Sequence, residues 1–176
     1  MKLKKIGIIA KDIPRAHSAV KKLAKWLSAK GRKVFIDRQT AAAVGLEGHA
    51  EKSLPSLVDM IIVLGGDGTL RSAARLGADS RQNVPLFGVN LGSLGFMAEV
   101  SLEELYDNLQ KALAGKLRSE ERMMLEARVL RNDRVVATTS STTVSVPDST
   151  SADRFFVRAA DGQGSWSAST ALVRAS

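Results

Sequence analysis

An unbroken apolar run, Met60-Ile61-Ile62-Val63-Leu64, stops at Gly65-Gly66-Asp67-Gly68. A run without polar alternation fits a strand covered on both faces, as in a parallel sheet between helical layers. Past the glycines, Leu70, Ala73, Ala74 and Gly77 follow helical spacing. Residues 58–75 therefore read strand, glycine loop, helix. In such a unit the loop lies at the carboxyl end of the strand, where open α/β sheets place their ligands.

The residue types of that loop suggest a chemistry. Glycines around one acid let the backbone approach a ligand and turn without Cβ clashes. Free N–H groups at the start of the next helix favour phosphate oxygens. Asp67 would then be a carboxylate held against a polyanion, suited to accepting a proton from an attacking hydroxyl or to holding a metal on phosphates. The same residues fit a tight turn whose aspartate merely caps the helix. The tetrapeptide leaves both readings open.

A second stretch adds to the first. Pro85-Leu86-Phe87-Gly88-Val89-Asn90 is another short buried-strand pattern, and it runs into Leu91-Gly92-Ser93-Leu94-Gly95-Phe96. Consecutive strands that each end in a glycine-rich loop put both loops on one rim of the sheet. Together, Gly65-Gly66-Asp67-Gly68-Thr69 and Gly88-Val89-Asn90-Leu91-Gly92-Ser93-Leu94-Gly95-Phe96 resemble the ATP-dependent NAD kinases. The first motif is shared with diacylglycerol, sphingosine and phosphofructo-kinases, whereas the second, at this distance, is more particular to NAD kinases. The resemblance extends from the N-terminus to about Ala137.

The rest of the chain is read around that centre. Its 176 residues suffice for one domain with a real core and the start of a second. With 44% hydrophobic and 25% charged residues it has the composition of a soluble globular protein. Having no cysteine, it has neither disulfides nor thiolate metal sites. The basic opening Met1-Lys2-Leu3-Lys4-Lys5 precedes an apolar run, 6–10, too short for a signal peptide, and no segment reaches transmembrane length. A cytoplasmic enzyme is the expectation.

The net charge is +8, with a sequence pI near 10.0. Lys21, Lys22, Lys25 and Lys30 share one predicted helix, with no aromatic interleaving and no nucleic-acid motif. The reading favours a solvated basic face and a polyanionic small substrate over nucleic acid.

Residues 5–10 read as a first strand. Pro14 opens a helix striped by Ala16, Val20, Leu23, Ala24 and Leu27 and closed by Gly31, and 33–36 is a second strand. Strand, helix, strand argues for a parallel sheet. No Gly-x-Gly-x-x-Gly follows the first strand and no Walker A lysine motif occurs, so neither a conventional dinucleotide fold nor a P-loop enzyme is expected. Residues 38–57 read as a mobile connection with one helical turn and little chemistry. His49 and His17 read as exposed rather than as metal ligands. Ser101 and Glu104 form a capping box for a helix carrying Leu102, Leu105, Leu109, Ala112 and Leu113 and ending at Gly115.

Segments 122–130 and 134–139 read as an antiparallel hairpin turning at Arg131-Asn132-Asp133. The expected fold is thus α/β, with an open parallel-sheet nucleotide-binding domain over 1–119. An incomplete β-rich second domain starts at 120. After Thr138, serine and threonine crowd the sequence, and partial disorder is expected. The Asn-Asp or Asn-Glu pair and the Thr-Pro-x-Gly-Ser-Thr-Ala-Tyr loop that the resemblance leads one to seek are absent, with Ser167-Ala168-Ser169-Thr170-Ala171 a faint echo. A truncated, frameshifted or misassigned C-terminus is read ahead of a new functional domain.

The resemblance implies transfer of the γ-phosphoryl of ATP, or of a polyphosphate, to the 2′-hydroxyl of the adenosine ribose of NAD, making NADP. It implies that Asp67 takes the hydroxyl proton and that Gly66, Gly68 and Thr69 line the phosphates. Arg71 stands where a second apolar residue is usual and is read as facing phosphate. Asn90 joins the nucleotide site, and Phe96 contacts the adenine part of NAD. Mg²⁺ is expected with ATP. The partners expected are NAD and ATP, with no nucleic acid and no membrane, and the protein is expected to be a homo-oligomer. A lipid kinase of the diacylglycerol type and a non-catalytic nucleotide-binding domain are the alternatives.

Overall fold

The fold, obtained as a computed structural model, describes residues 3–80, 82–92, 97, 98 and 100–120, and the backbone of 124–131, 134–139 and 153–160. Phe96, residues 93–95, the Asn132-Asp133 turn and the Ser/Thr-rich stretches 140–152 and 161–176, with the faint echo at 167–171, lie outside the described residues. The chain divides into two units, Met1–Ser119 and Glu120–Ser176.

The first unit alternates strands and helices: β1 (Lys5–Ala10), α1 (Pro14–Ala29), β2 (Lys33–Ile36), α2 (Arg38–Val44), a 3₁₀ turn (Glu51–Ser53), α3 (Leu54–Leu57), β3 (Met60–Gly65), α4 (Asp67–Ser80), β4 (Leu86–Asn90), β5 (Val100–Ser101) and α5 (Leu105–Leu113). The strands form one sheet in the order β2-β1-β3-β4-β5, every pair parallel.

Strand β3 lies at the middle and all its residues are buried. Its side chains split by parity, as a pleat requires. Met60, Ile62 and Leu64 join Val20, Leu23, Leu27, Leu105 and Leu109 on the face covered by α1 and α5. Ile61 and Val63 join Leu54, Leu70 and Ala73 on the face covered by α3 and α4. A fully buried leucine or isoleucine contributes about 1.5–3 kcal/mol, so these two half-cores dominate stability.

Local signals explain the helix ends. Pro14 begins α1 at a position where its missing N–H costs nothing, and Gly31 follows the helix at φ 70°, the left-handed region that favours glycine. The apolar stripe buries Ala16, Ala19, Val20, Leu23 and Leu27, while Lys21, Lys22, Lys25 and Lys30 are exposed. Residues 38–57 are not the mobile connection expected. Asp37 Oδ1 accepts from Thr40 N at 2.9 Å and caps α2, and Gly45, at φ 70°, ends it. The capping box is present: Glu104 N donates to Ser101 Oγ and Ser101 N to Glu104 Oε2, each at 3.3 Å. Among the described residues, no helix is long and apolar enough to cross a membrane.

In the second unit β6 (Met124–Arg131) pairs antiparallel with β7 (Arg134–Thr139) on one side and β8 (Asp153–Ala160) on the other. Partial disorder is expected of the tail beyond the hairpin; within it, Phe155-Phe156-Val157 lies in β8, a strand paired along the length of β6.

Candidate functional site

Gly65 pairs with Asn90 in the register of β3 and β4, so both glycine stretches leave the sheet on the same rim. The strand order reverses its direction of growth between β1 and β3, which is where open α/β sheets form a ligand crevice. An open cleft of about 490 Å³ lies there. Ala10, Lys11 and Asp12 reach it from the end of β1, Asp37 and Gln39 from the end of β2 and the start of α2, and Gly66, Gly68, Thr69 and Ser72 from the end of β3 and from α4.

The glycines of the first motif are required for different reasons. A Cβ on Gly65 would overlap Thr69, whose own Cβ lies 2.7 Å from the added atom. At Gly66 and Gly68 an added Cβ would meet nothing within 4 Å, and neither is among the positive-φ glycines. The fold does not demand glycine at those two positions, yet both line the cleft. Leu70 N donates to Gly66 O at 3.1 Å, opening α4. The first N–H groups of this 14-residue helix thus begin beside the cleft and favour an anion.

Asp67 is the first residue of α4 rather than a loop residue. It is half-buried, and its Oδ1 accepts from Met97 N and Ala98 N at 3.1 Å each, tying the first glycine motif to the end of the second. Two backbone donors hold the carboxylate in a fixed orientation, more than a bare helix cap would require. Asn90 is buried; its Oδ1 accepts from Gly92 N at 2.9 Å and its Nδ2 donates to Ala98 O at 3.4 Å. It shapes the second stretch from beneath. Arg15 fastens the start of that stretch, donating to Leu91 O at 2.9 Å and to Glu103 at 3.3 Å. Arg71 is exposed, and the residues lining the cleft include neither it nor Asn90 nor Asp67, whose two neighbours Gly66 and Gly68 do line it.

The far end of the cleft is acidic, which sequence reasoning missed. Asp37 and Glu51 line it, and Glu51 falls within 38–57, the region expected to carry little chemistry. Partial burial, then the charge of Asp37, raises the Glu51 carboxyl above its ordinary value. The available signal was Asp37 itself, an acid closing a buried strand three residues before Thr40. The histidines differ from expectation too. His49 is half-buried, its ring 5.1 Å from that of Phe35, and His17 Nε2 lies 2.9 Å from Asp12 Oδ1. Among the described residues no group of three or more His, Cys, Asp or Glu is placed to hold a metal.

The ATP-NAD kinase N-terminal domain matches residues 6–117. An NAD kinase of Solibacter usitatus (strain Ellin6076) is 44% identical over 137 residues, 77% of this chain and 47% of that protein. One from Syntrophotalea carbinolica is 46% identical over 133 residues, 74% and 46% of the two chains. One from Geobacter sulfurreducens is 47% identical over 132 residues, again 74% and 46%. The chain spans about half the length of these relatives. The crystal structure of yeast NADH kinase complexed with NADH superposes with a TM-score of 0.68 at 20% identity, over 79% of this chain and 46% of that one, and so shares the fold. With a match that spans both glycine stretches and more than half of its residues, the chain belongs to the NAD kinase family.

Proposed function

We propose that the chain acts in the phosphorylation of NAD, the γ-phosphoryl of ATP passing to the 2′-hydroxyl of the adenosine ribose to give NADP and ADP. The observation that carries this reading is the pair Gly66 and Gly68. Both are free of conformational need and both line a cleft at the start of α4, beside a carboxylate oriented by two backbone donors.

In this reading the phosphates of ATP lie against Gly66, Gly68 and Thr69, with Arg71 toward their solvent side. The 2′-hydroxyl oxygen forms the new bond to the γ-phosphorus, the bond to the β–γ bridging oxygen breaks, and Asp67 receives the hydroxyl proton. Asn90 keeps the second glycine stretch in shape, and Phe96 meets the adenine part of NAD. The donor set fits Mg²⁺ arriving on the nucleotide, because Mg²⁺ is commonly held by one or two carboxylates plus phosphates rather than by an all-protein cage. Asp67 would be the carboxylate at hand, and the bound ion would neutralise charge on the phosphates. The same reading makes the protein a cytoplasmic homo-oligomer, which size-exclusion chromatography with light scattering tests.

The deciding assay is NADP formation from NAD, ATP and Mg²⁺. Asp67→Asn should lower the rate by roughly 10²–10⁴, the span of a lost general base. Asparagine still offers an oxygen to Met97 N and Ala98 N, so its melting temperature should stay near that of the parent. Parental turnover in this variant would remove Asp67 from the chemistry. Binding of ATP without any NADP would favour a nucleotide-binding domain instead.

A further inference from the structure

Asp37 is 5% exposed, and its two carboxylate oxygens differ in what they meet. Oδ1 accepts from Thr40 N at 2.9 Å. Oδ2 is buried and makes no hydrogen bond. A buried charged acceptor without a donor is costly, and such groups are rare unless something else meets them. Asp37 is among the residues lining the cleft whose other end is Gly66, Gly68 and Thr69.

The cleft is therefore polar in a directed way. One end offers the N–H groups of α4 and favours an anion. The other carries Asp37 and Glu51 and repels one. Lys11, one residue past β1, supplies positive charge. A ligand matching both ends is anionic at one extremity and carries neutral hydrogen-bond donors at the other. The sheet order β2-β1-β3 sets the separation, because the ends of β2 and β3 are two strand spacings apart, roughly 9–10 Å. That is the reach from a sugar hydroxyl to the outer phosphates of a nucleoside triphosphate. An inorganic polyphosphate filling the same cleft would set charge against Asp37.

We propose that Asp37 determines the phosphoryl donor, its Oδ2 accepting a hydrogen bond from a ribose hydroxyl of a ribonucleoside triphosphate whose phosphates lie against Gly66, Gly68 and Thr69. The inference rests on the reading of the cleft as the ATP site and adds the choice of ribonucleotide over polyphosphate.

The test is calorimetry on the full chain in Mg²⁺, with ATP, 2′,3′-dideoxyATP and tripolyphosphate, for the parent and for Asp37→Asn. Asparagine caps a helix about as well as aspartate and keeps the oxygen facing Thr40 N, while presenting an N–H donor in place of Oδ2. The parent should bind ATP about 10–100-fold more tightly than dideoxyATP, the worth of a hydrogen bond to a charged group. In Asp37→Asn the two nucleotides should bind alike, and tripolyphosphate should bind more tightly than to the parent, because the charge set against it is gone. Equal affinity of the parent for ATP and dideoxyATP overturns the proposal and needs no variant. So does equal weakening of all three ligands in Asp37→Asn, which would mean action through a metal or the general field. Failure of the parent to bind ATP, dideoxyATP or tripolyphosphate overturns the ATP reading itself, and this inference with it.

Discussion

A methyl group added at Gly65 would stand 2.7 Å from Thr69 Cβ, whereas one added at Gly68 would meet nothing within 4 Å. Thr69 is β-branched and packed at the start of α4, so it yields little. Gly65→Ala should cost about 1–3 kcal/mol by overpacking, a fall of roughly 2–10 °C in thermal melts. Gly68→Ala should leave the melting temperature unchanged or raise it, because alanine favours a helix over glycine by up to about 1 kcal/mol. The same variant should bind ATP at least about tenfold more weakly, since the methyl would occupy cleft space meant for phosphate. ATP bound by Gly68→Ala as tightly as by the parent would undo the phosphate reading of this position. Asp59 gives a residue-scale test of pH. Its Oδ2 accepts from Lys5 N at 2.8 Å and Lys4 N at 2.7 Å. These bonds, that of Lys5 foremost, hold its pKa below the ordinary 3.8. A depressed carboxyl stabilises the fold above its unfolded value, and that stability is lost as pH falls through the folded one. Asp59→Asn should therefore lose less melting temperature than the parent on acidification from about pH 5 to pH 2.5.

At the scale of elements, Ser101 and Glu104 close a reciprocal box, with Ser101 Oγ 2.9 Å from Glu104 Oε2. Helix α5 nevertheless begins at Leu105, because residues 102–104 form a turn that only tightens into helix when Asn108 N reaches Glu104 O. Ser101→Ala should cost about 0.5–1 kcal/mol, read as a drop of roughly 1–4 °C in the melt. The elements legible in the sequence were those whose apolar pattern is dictated by a buried sheet: β1, α1, β2, β3, α4 and β4 all sit where burial forces periodicity. Helix α2 escaped because Ala41-Ala42-Ala43 shows no stripe, and its clearest signal is a polar cap, Asp37 to Thr40 N. Strand β8 escaped because Phe155-Phe156-Val157 is a three-residue apolar run between Arg154 and Arg158, just past a Ser/Thr-rich stretch. The candidate site was half legible for the same reason. Gly66, Asp67 and Gly68 are neighbours in sequence, whereas the cleft joins Asp37 and Glu51 to the two glycines only through the order β2-β1-β3, which no local pattern encodes.

For the whole molecule, among the residues whose side chains are described, both half-cores draw their members from Met1–Ser119. The parallel sheet has helices on its two faces within that unit, and the cleft is lined by residues between Ile9 and Ser72. Chains of about this size bury roughly two thirds of the surface their unfolded form exposes, enough for independent stability. A protein ended after Ser119 should therefore unfold in one cooperative transition, with calorimetric and van't Hoff enthalpies agreeing. It should bind MgATP within about threefold of the full chain, because neither the anion end nor the acidic end of the cleft is touched. Broad, non-cooperative melting, or ATP affinity reduced more than about tenfold, would show that the two units share in building the site and that the boundary at 119 does not mark an independent domain.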